Sequence, residues 1–438
     1  MQNIENTQKK SNMQKVALTA LAGTSIEWYD FFLYGAAAAL IFPTAFFGEM
    51  PPTTALLLSL LTFAAGFIAR PIGGIIFGHF GDKVGRKKTL ISALMLMGIS
   101  STLIGLLPTY AMIGVAAPIL LTTLRFAQGL AIGGQWGGAM LLVTESAPSD
   151  QRGYYGAFAQ AGAPIGVILA NLALIITSAL VSEEFFNTWG WRIPFLASAV
   201  LILISMYIQL NLEDTDAFKA LVSNKGTQSD ENIKKSPVVE AIRKYPKRIF
   251  LAAGAFLSVQ VTFYILIAFM LAYGVTSANM ARDDMLAAVL IASAIMVPVQ
   301  FIFSSYSDRH GRKGIFMSGA VLTGIWAFAI FPLVDTGNFY LIVLAITGGL
   351  VFLAMMYGPQ AAFFTELFST EVRYSGATLG YQFGAIVGGA FAPTIAVKLW
   401  TEFDIIWVSA YIALASLLTL LSVMALTETY QSDLNNTD

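Results

Sequence analysis

The chain has no cysteine and only two histidines, His79 and His310, among 438 residues. Without thiols there is no disulfide, no thiolate metal site and no cysteine nucleophile, and two imidazoles do not build a histidine-rich metal centre. Charge is scarce too. Asp, Glu, Lys and Arg make up 12% of the chain, about half of the ~25% usual in soluble domains. Neither sign dominates, since 25 Lys and Arg stand against 26 Asp and Glu, which speaks against a nucleic-acid partner. What fills the chain instead is apolar: 56% hydrophobic residues and a mean hydropathy of +0.70. Water is not its main solvent.

A helix needs roughly 20 apolar residues to cross a bilayer. Twelve runs are long enough to count, at about 16–42, 53–79, 89–107, 112–142, 154–180, 192–211, 248–275, 285–306, 314–334, 339–365, 375–397 and 404–426. The first fifteen residues lack the basic, apolar, cleavage-site order of a signal peptide, so the first run is expected to be retained as a helix. One long polar stretch, 212–247, separates two sets of six runs; it has too few apolar residues to bury a core of its own and reads as a linker. The expected architecture is an all-α membrane protein with two six-helix bundles, 16–211 and 248–426, flanked by tails 1–15 and 427–438. An even number of spans puts both tails on one side. The basic residues crowd into the N-terminal tail, the linker and the loops on that side, while the opposite loops hold only Arg192, Arg282 and Lys398. The excess predicts cytoplasmic termini.

Two landmarks recur in the halves. Phe80-Gly81-Asp82-Lys83-Val84-Gly85-Arg86 follows the second run and Tyr306-Ser307-Asp308-Arg309-His310-Gly311-Arg312 follows the eighth. Thr144-Glu145, with Arg152 seven residues after the acid, matches Thr365-Glu366 with Arg373 at the same spacing. The halves therefore read as copies. A duplicated six-helix unit in one orientation suits a transporter that rocks two bundles about a site near the membrane midplane. In the repeated loops an Asp can cap a helix start, a Gly permits the turn, and Arg or Lys can pair with acids. Asp82, Arg86, Glu145, Arg152, Asp308, Arg312, Glu366 and Arg373 are the expected cytoplasmic gate; enforcing topology explains Lys87 and Lys88 without it.

Four ionisable residues lie at hydrocarbon depth, all in the first half: Glu27, Asp30, Arg70 and Arg125. Each is costly if it faces lipid, so each should face protein or a water-filled cavity. Glu27 and Asp30, at i and i+3, share a helix face and are the candidate proton-coupling acids. Arg125 carries a planar fork that can hold a carboxylate through two hydrogen bonds and is the expected substrate anchor, with Arg70 in a structural or supporting role. A static ion-pair cluster is the competing reading. Gln128 and Trp136 share a stripe with Arg125, Gln135 lies seven residues beyond Gln128, and Tyr34 and Gln160 complete the first-half candidates. The second half offers neutral groups suited to hydroxyls and carbonyls: Gln260, Tyr264, Gln300, Tyr357, Gln360, Tyr381 and Gln382. Gly129, Gly133 and Gly137, and again Gly380, Gly384 and Gly388, recur every four residues, a spacing that lets helix backbones approach closely.

The paired loops GDKVGRKK and SDRHGRKG resemble the inter-helix signature of the major facilitator superfamily. Gly23-Thr24-Ser25-Ile26-Glu27-Trp28-Tyr29-Asp30-Phe31-Phe32-Leu33-Tyr34-Gly35, then ARPIGGIIFGHFGDKVGRK, LRFAQGLAIGGQWGGAMLLVTESAP, WGWRIPFL and GPQAAFFTELFSTEVRYSGATLGYQ, resemble its metabolite:proton symporter family, nearest the shikimate-type branch. The resemblance implies proton-driven uptake across a bacterial inner membrane, with coupling near the first-span acids and the fourth-span Arg, here Glu27, Asp30 and Arg125. One departure stands out: relatives usually read GGEWGG where this chain has Gly133-Gly134-Gln135-Trp136-Gly137-Gly138. Either that position is dispensable for coupling, or Glu27 and Asp30 carry it, or the chain is impaired.

The expectation is thus a monomeric proton symporter that takes up a small carboxylate such as shikimate or a di- or tricarboxylate, driven by the proton gradient with no cofactor. The alternatives are a proline/betaine osmolyte carrier, in which Trp28, Trp136 and the tyrosines hold a quaternary ammonium, and a non-transporting membrane receptor. No HExxH, GxSxG or Walker loop suggests an enzyme.

Overall fold

The computed structural model of the chain describes residues 2–84, 86–213, 237–369 and 373–430, leaving aside the side chains of 2–12, 78–87, 89–90, 134–139, 141–142, 146, 208–213, 237–240 and 374. The candidates Asp82, Arg86, Gln135 and Trp136 lie outside the described side chains, and most of the expected linker, 214–236, lies outside the described residues.

Among the described residues twelve long helices follow one another. The first half holds α1 (Gln2–Leu40), α2 (Pro52–Val84), α3 (Arg86–Leu106), α4 (Ala116–Ser146), α5 (Arg152–Leu180) and α6 (Ile193–Glu213). The second holds α7 (Pro246–Thr276), α8 (Arg282–His310), α9 (Arg312–Val334), α10 (Phe339–Glu366), α11 (Arg373–Ala385, continuing to Glu402) and α12 (Ile406–Ala425). Ten helices among the described residues are long and apolar enough to cross a membrane, and α3 adds a shorter apolar stretch, Ile91–Leu106. Prolines inside α2, α5, α8, α9 and α10 each remove a backbone donor, a loss that neighbouring helices make good in spanning segments. Two helices are interrupted by a π-helical turn: Ile265–Phe269 within α7 and Ile386–Ala390 within α11.

Burial identifies the central helices. The apolar window of α7 is 94% buried, against 39% for α8 and for α12, so α7 runs through the middle while the others present a side such as Ile302 or Leu421 outward. The described stretches nearest the two termini, around Met13 and Glu428, sit at the same end of the molecule. Met13, Val16 and Ala17 of α1 pack on Val143, Ala147 and Tyr155, where α4 passes to α5, and Glu428 beyond α12 caps the start of α9 by accepting from the backbone N–H of Arg312 and Lys313, each at 2.9 Å.

Glycine governs how closely the helices cross. Between α2 and α4 a Cβ on Gly129 would stand 2.1 Å from the Gly66 carbonyl oxygen, and one on Gly133 only 1.9 Å from that of Arg70. The repeat also shows in contacts that the loop motifs do not reveal. Gly162 and Gly166 on α5 receive Thr24 and Trp28 of α1, and Gly384 and Gly388 on α11 receive Ala253 and Leu257 of α7. Gly133→Val therefore forces two backbones apart; overpacking costs about 1–3 kcal/mol even where only side chains must yield, and here a carbonyl must. The expected result is a sharp fall in monodisperse protein on size exclusion, whereas Gly314→Ala, which meets nothing within 4 Å, leaves the profile unchanged.

Candidate functional site

A small enclosed cavity lies where the two halves meet. Trp28 and Phe32, four residues apart on α1, form one wall with Ala163 of α5; Val259, Gln260, Phe263 and Tyr264 of α7 form the opposite wall; Tyr357 of α10 and Tyr381 of α11 close it. It leaves about 10 Å³ for the centre of a water molecule, room for about one water. Among the described residues no charged side chain is part of this lining. Its polar side chains are Trp28, the three tyrosines and Gln260, whose Nε2 is buried without a hydrogen-bond partner.

The structure brings Gln260, Tyr264, Tyr357 and Tyr381 of the sequence candidates to this cavity. Gln382 is buried nearby in sequence but outside the lining, with its Oε1 unpartnered. Gln160 does not line it either: its Nε2 donates to the Tyr357 carbonyl at 3.2 Å, tying α5 to α10. Gln300 likewise donates to the Ala157 carbonyl at 3.2 Å, and Gln360 is buried with both amide atoms unpartnered. Phe32 and Phe263 are lining residues that the sequence reading passed over; their signal was spacing, since Phe32 lies one turn from Trp28 and Phe263 three residues from Gln260.

The buried charges of the first half lie behind the cavity wall. Arg125 donates from Nη1 to Gln128 Oε1 at 3.0 Å, Gln128 Nε2 donates to Ser101 Oγ at 2.7 Å, and Ser101 neighbours the Asp30 carboxylate. Ser198 of α6 donates to Asp30 Oδ1. The hydrogen-bonding neighbours of Asp30 are thus hydroxyls, with Arg125 acting on it through space. The Arg125 guanidinium sits 4.1 Å from the Phe31 ring centre, 4.3 Å from Tyr34 and 4.7 Å from Phe63; the missing Cβ of Gly66 makes its room, since one there would meet Nε at 2.7 Å. Tyr34 stands on Arg125 and shares a 2.6 Å hydrogen bond with Thr62. Glu27 is half-buried. Asp30 and Arg125 are within 1% of complete burial, and neither lines the cavity. Arg70 shares the Phe31 ring with Arg125 but turns toward the cavity: its guanidinium lies 4.3 Å from the Phe67 ring centre, 4.4 Å from Phe31 and 5.4 Å from the cavity residue Trp28.

At the end that carries the termini, the repeated loops interlock across the halves. Asp308 at the end of α8 accepts from the backbone N–H groups of Gly153 and Tyr154 at the start of α5, both at 2.8 Å. Arg373 donates to Glu145 at 3.4 Å, and Arg152 approaches Glu366 at 3.9 Å. Arg312 binds both Asp308, at 2.6 Å, and Glu366, at 3.2 Å, while the Thr429 hydroxyl donates to Glu366 at 2.8 Å. At the opposite end Ser178 donates to Asp283 at 2.8 Å and Arg282 to Asn187 at 3.2 Å. The cavity is bracketed by cross-half contacts at both ends.

A family model described as Major Facilitator Superfamily matches residues 20–379. The chain is 39% identical over 431 residues to the "Inner membrane metabolite transport protein YhjE" of Escherichia coli (strain K12), covering 97% of this chain and 96% of that one. It is 37% identical over 411 residues to the "Shikimate transporter" of the same organism, covering 94% and 93%. Among solved structures, the proton:xylose symporter XylE bound to 6-bromo-6-deoxy-D-glucose aligns with a TM-score of 0.71 at 17% identity over 98% of both chains, a likeness of fold.

Proposed function

The chain belongs to the Major Facilitator Superfamily, and from that premise we propose that it is a proton-coupled symporter that takes up a small carboxylate such as shikimate by alternating access, in a bacterial inner membrane with both termini cytoplasmic. The observation that carries the reading is the closed cavity between the halves, bracketed at each end by contacts that must part in turn. A rocking mechanism needs such a site, and rings, hydroxyls and one spare amide donor suit a compact hydroxylated ring. Asp30 is the proton carrier in this reading: held by hydroxyls rather than by a direct ion pair, it can take up or release a proton without breaking a salt bridge. Opening of the bundle to one side hydrates it. Arg125 senses that change through the Gln128–Ser101 chain and holds the carboxylate form in place.

Reconstituted protein in liposomes with an acidic exterior is expected to accumulate labelled shikimate, and an uncoupler to release it; equilibration without accumulation rejects the coupling. Arg125→Lys is expected to lower the initial rate about tenfold, because a point charge replaces a fork that spans Gln128 and three rings; an unchanged rate removes Arg125 from the coupling path. A second reading, a proline/betaine carrier, draws support from the aromatic lining, since rings attract a quaternary ammonium. Competition separates the two: excess glycine betaine blocks the osmolyte carrier and leaves the acid carrier untouched.

A further inference from the structure

Arg70 is a buried guanidinium whose Nε and Nη2 have no hydrogen-bond partner, and its close neighbours are the rings of Phe31, Phe67 and Trp28. Its hydrogen-bonding neighbour is the Tyr264 hydroxyl; leaving the other nitrogens of a buried charge unmatched is costly, and such unsatisfied donors need a reason in a folded protein. Arg125, its like-charged neighbour, also has Nε and Nη2 without a partner, but it bonds Gln128, outside the cavity lining, where Arg70 bonds the cavity residue Tyr264, and none of the three rings around it belongs to that lining. Arg70 reaches the cavity through two of its walls. It lies beside Trp28, and it is an electrostatic neighbour of the hydroxyls of Tyr264, Tyr357 and Tyr381, all cavity residues.

Tyr264 is placed to be moved. It is the last residue of regular helix before the π turn Ile265–Phe269, and its ring rests on Gly389, inside the π turn of α11, where a Cβ would come within 2.9 Å of it. Turns of this kind carry spare backbone length and cluster at functional sites. The Tyr264 ring also packs on Phe67 at 5.1 Å, so it covers the same side of α2 that holds Arg70.

We propose that Arg70 is the carboxylate-binding group of the central cavity, that Tyr264 covers it in the empty protein and yields to the substrate, and that the ligand class is a compact monocarboxylate. The proposal deepens the symport reading and rests on it for the substrate being an acid. Of the two buried guanidiniums only Arg70 borders a ring of the lining, so one carboxylate is neutralised; a second would face Trp28, Phe32 and Phe263, with no cation among the described lining residues. The unpartnered Gln260 amide on the opposite wall is left to a hydroxyl of the same molecule.

The test is exchange of labelled shikimate across liposomes without a proton gradient, with shikimate, its methyl ester and succinate as unlabelled competitors. The wild-type protein is expected to be inhibited by shikimate and not by the ester or the dicarboxylate. Arg70→Gln should weaken shikimate about 100-fold, the size of a lost charged two-bond contact, and shrink the preference for acid over ester to a few-fold. Tyr264→Phe, which removes the hydroxyl from Arg70, should tighten shikimate a few-fold. Should Arg70→Gln fail to fold, Arg70→Lys serves, with a loss of about tenfold expected from exchanging a fork for a point charge. Retention of full acid-over-ester preference in a folded Arg70 variant overturns the proposal, as does strong inhibition of the wild type by succinate. Acid-selective, Arg70-dependent exchange without gradient-driven accumulation supports it and rejects proton coupling alone; no exchange of shikimate at all overturns both.

Discussion

Asp30→Asn is expected to abolish accumulation against a gradient while leaving downhill exchange within a few-fold of normal. Asparagine has the shape of the aspartate and keeps an oxygen to accept from Ser198, so packing against α6 survives. What is lost is the capacity to bind and release a proton. With one proton per substrate, an imposed gradient of about one pH unit supplies roughly 1.4 kcal/mol and a tenfold accumulation ratio; the variant should equilibrate at a ratio near one. Glu27→Gln is the control. Glu27 is half-buried whereas Asp30 is 1% exposed, so Glu27→Gln should retain accumulation. If Asp30→Asn still concentrates substrate and Glu27→Gln does not, the proton travels through Glu27 instead.

The spans were legible because a bilayer imposes one length on every helix, and the runs at 154–180, 314–334 and 339–365 meet α5, α9 and α10 within two residues at each end. The gate was legible in part. The repeated Asp of the loop motif was read as a cap for its own neighbourhood, yet Asp308 caps α5 of the other half, a partner more than 150 residues away that no local pattern encodes. The site was less legible still. Charge is conspicuous in an apolar sequence, so Arg125 and the acid pair drew attention ahead of the polar candidates Gln260, Tyr264, Tyr357 and Tyr381, while Phe32 and Phe263, which also wall the cavity, are indistinguishable by type from the 13% aromatic background. Which of two buried arginines stands nearer the cavity depends on the rotation of α2 against α4. That rotation is fixed by the contact of Gly129 and Gly133 with the backbone of α2, and spacing alone says only that the helices touch.

Asp308→Ala is expected to loosen the end that carries the termini more than any other single change outside the cavity. In the closed state the Asp308 carboxylate takes two backbone N–H groups at the start of α5, both at 2.8 Å, where the helix dipole adds to the attraction. When the halves part, those donors pass to water, so the bonds favour the closed state specifically. Hydrogen bonds to a charged group contribute about 1.5–3 kcal/mol each; losing two, with water replacing part of the effect, should cost about 3 kcal/mol and shift the closed-to-open ratio about 100-fold. The Arg312–Glu366 pair lies within one half, so rigid-body rocking of the halves leaves it intact, and its removal should damage folding before it alters gating. Asp308→Asn keeps one acceptor and should fall between the wild type and Asp308→Ala. Because the chain contains no cysteine, spin labels can be placed cleanly through Asp150→Cys and Arg309→Cys, both exposed at this end and one on each half. The wild-type label pair should give one short distance, Asp308→Asn a mixture, and Asp308→Ala a predominantly longer distance with loss of accumulation. An unchanged distance distribution in Asp308→Ala would show that Arg373–Glu145 and Arg152–Glu366 hold the halves together without it, and would reassign the gate to those pairs.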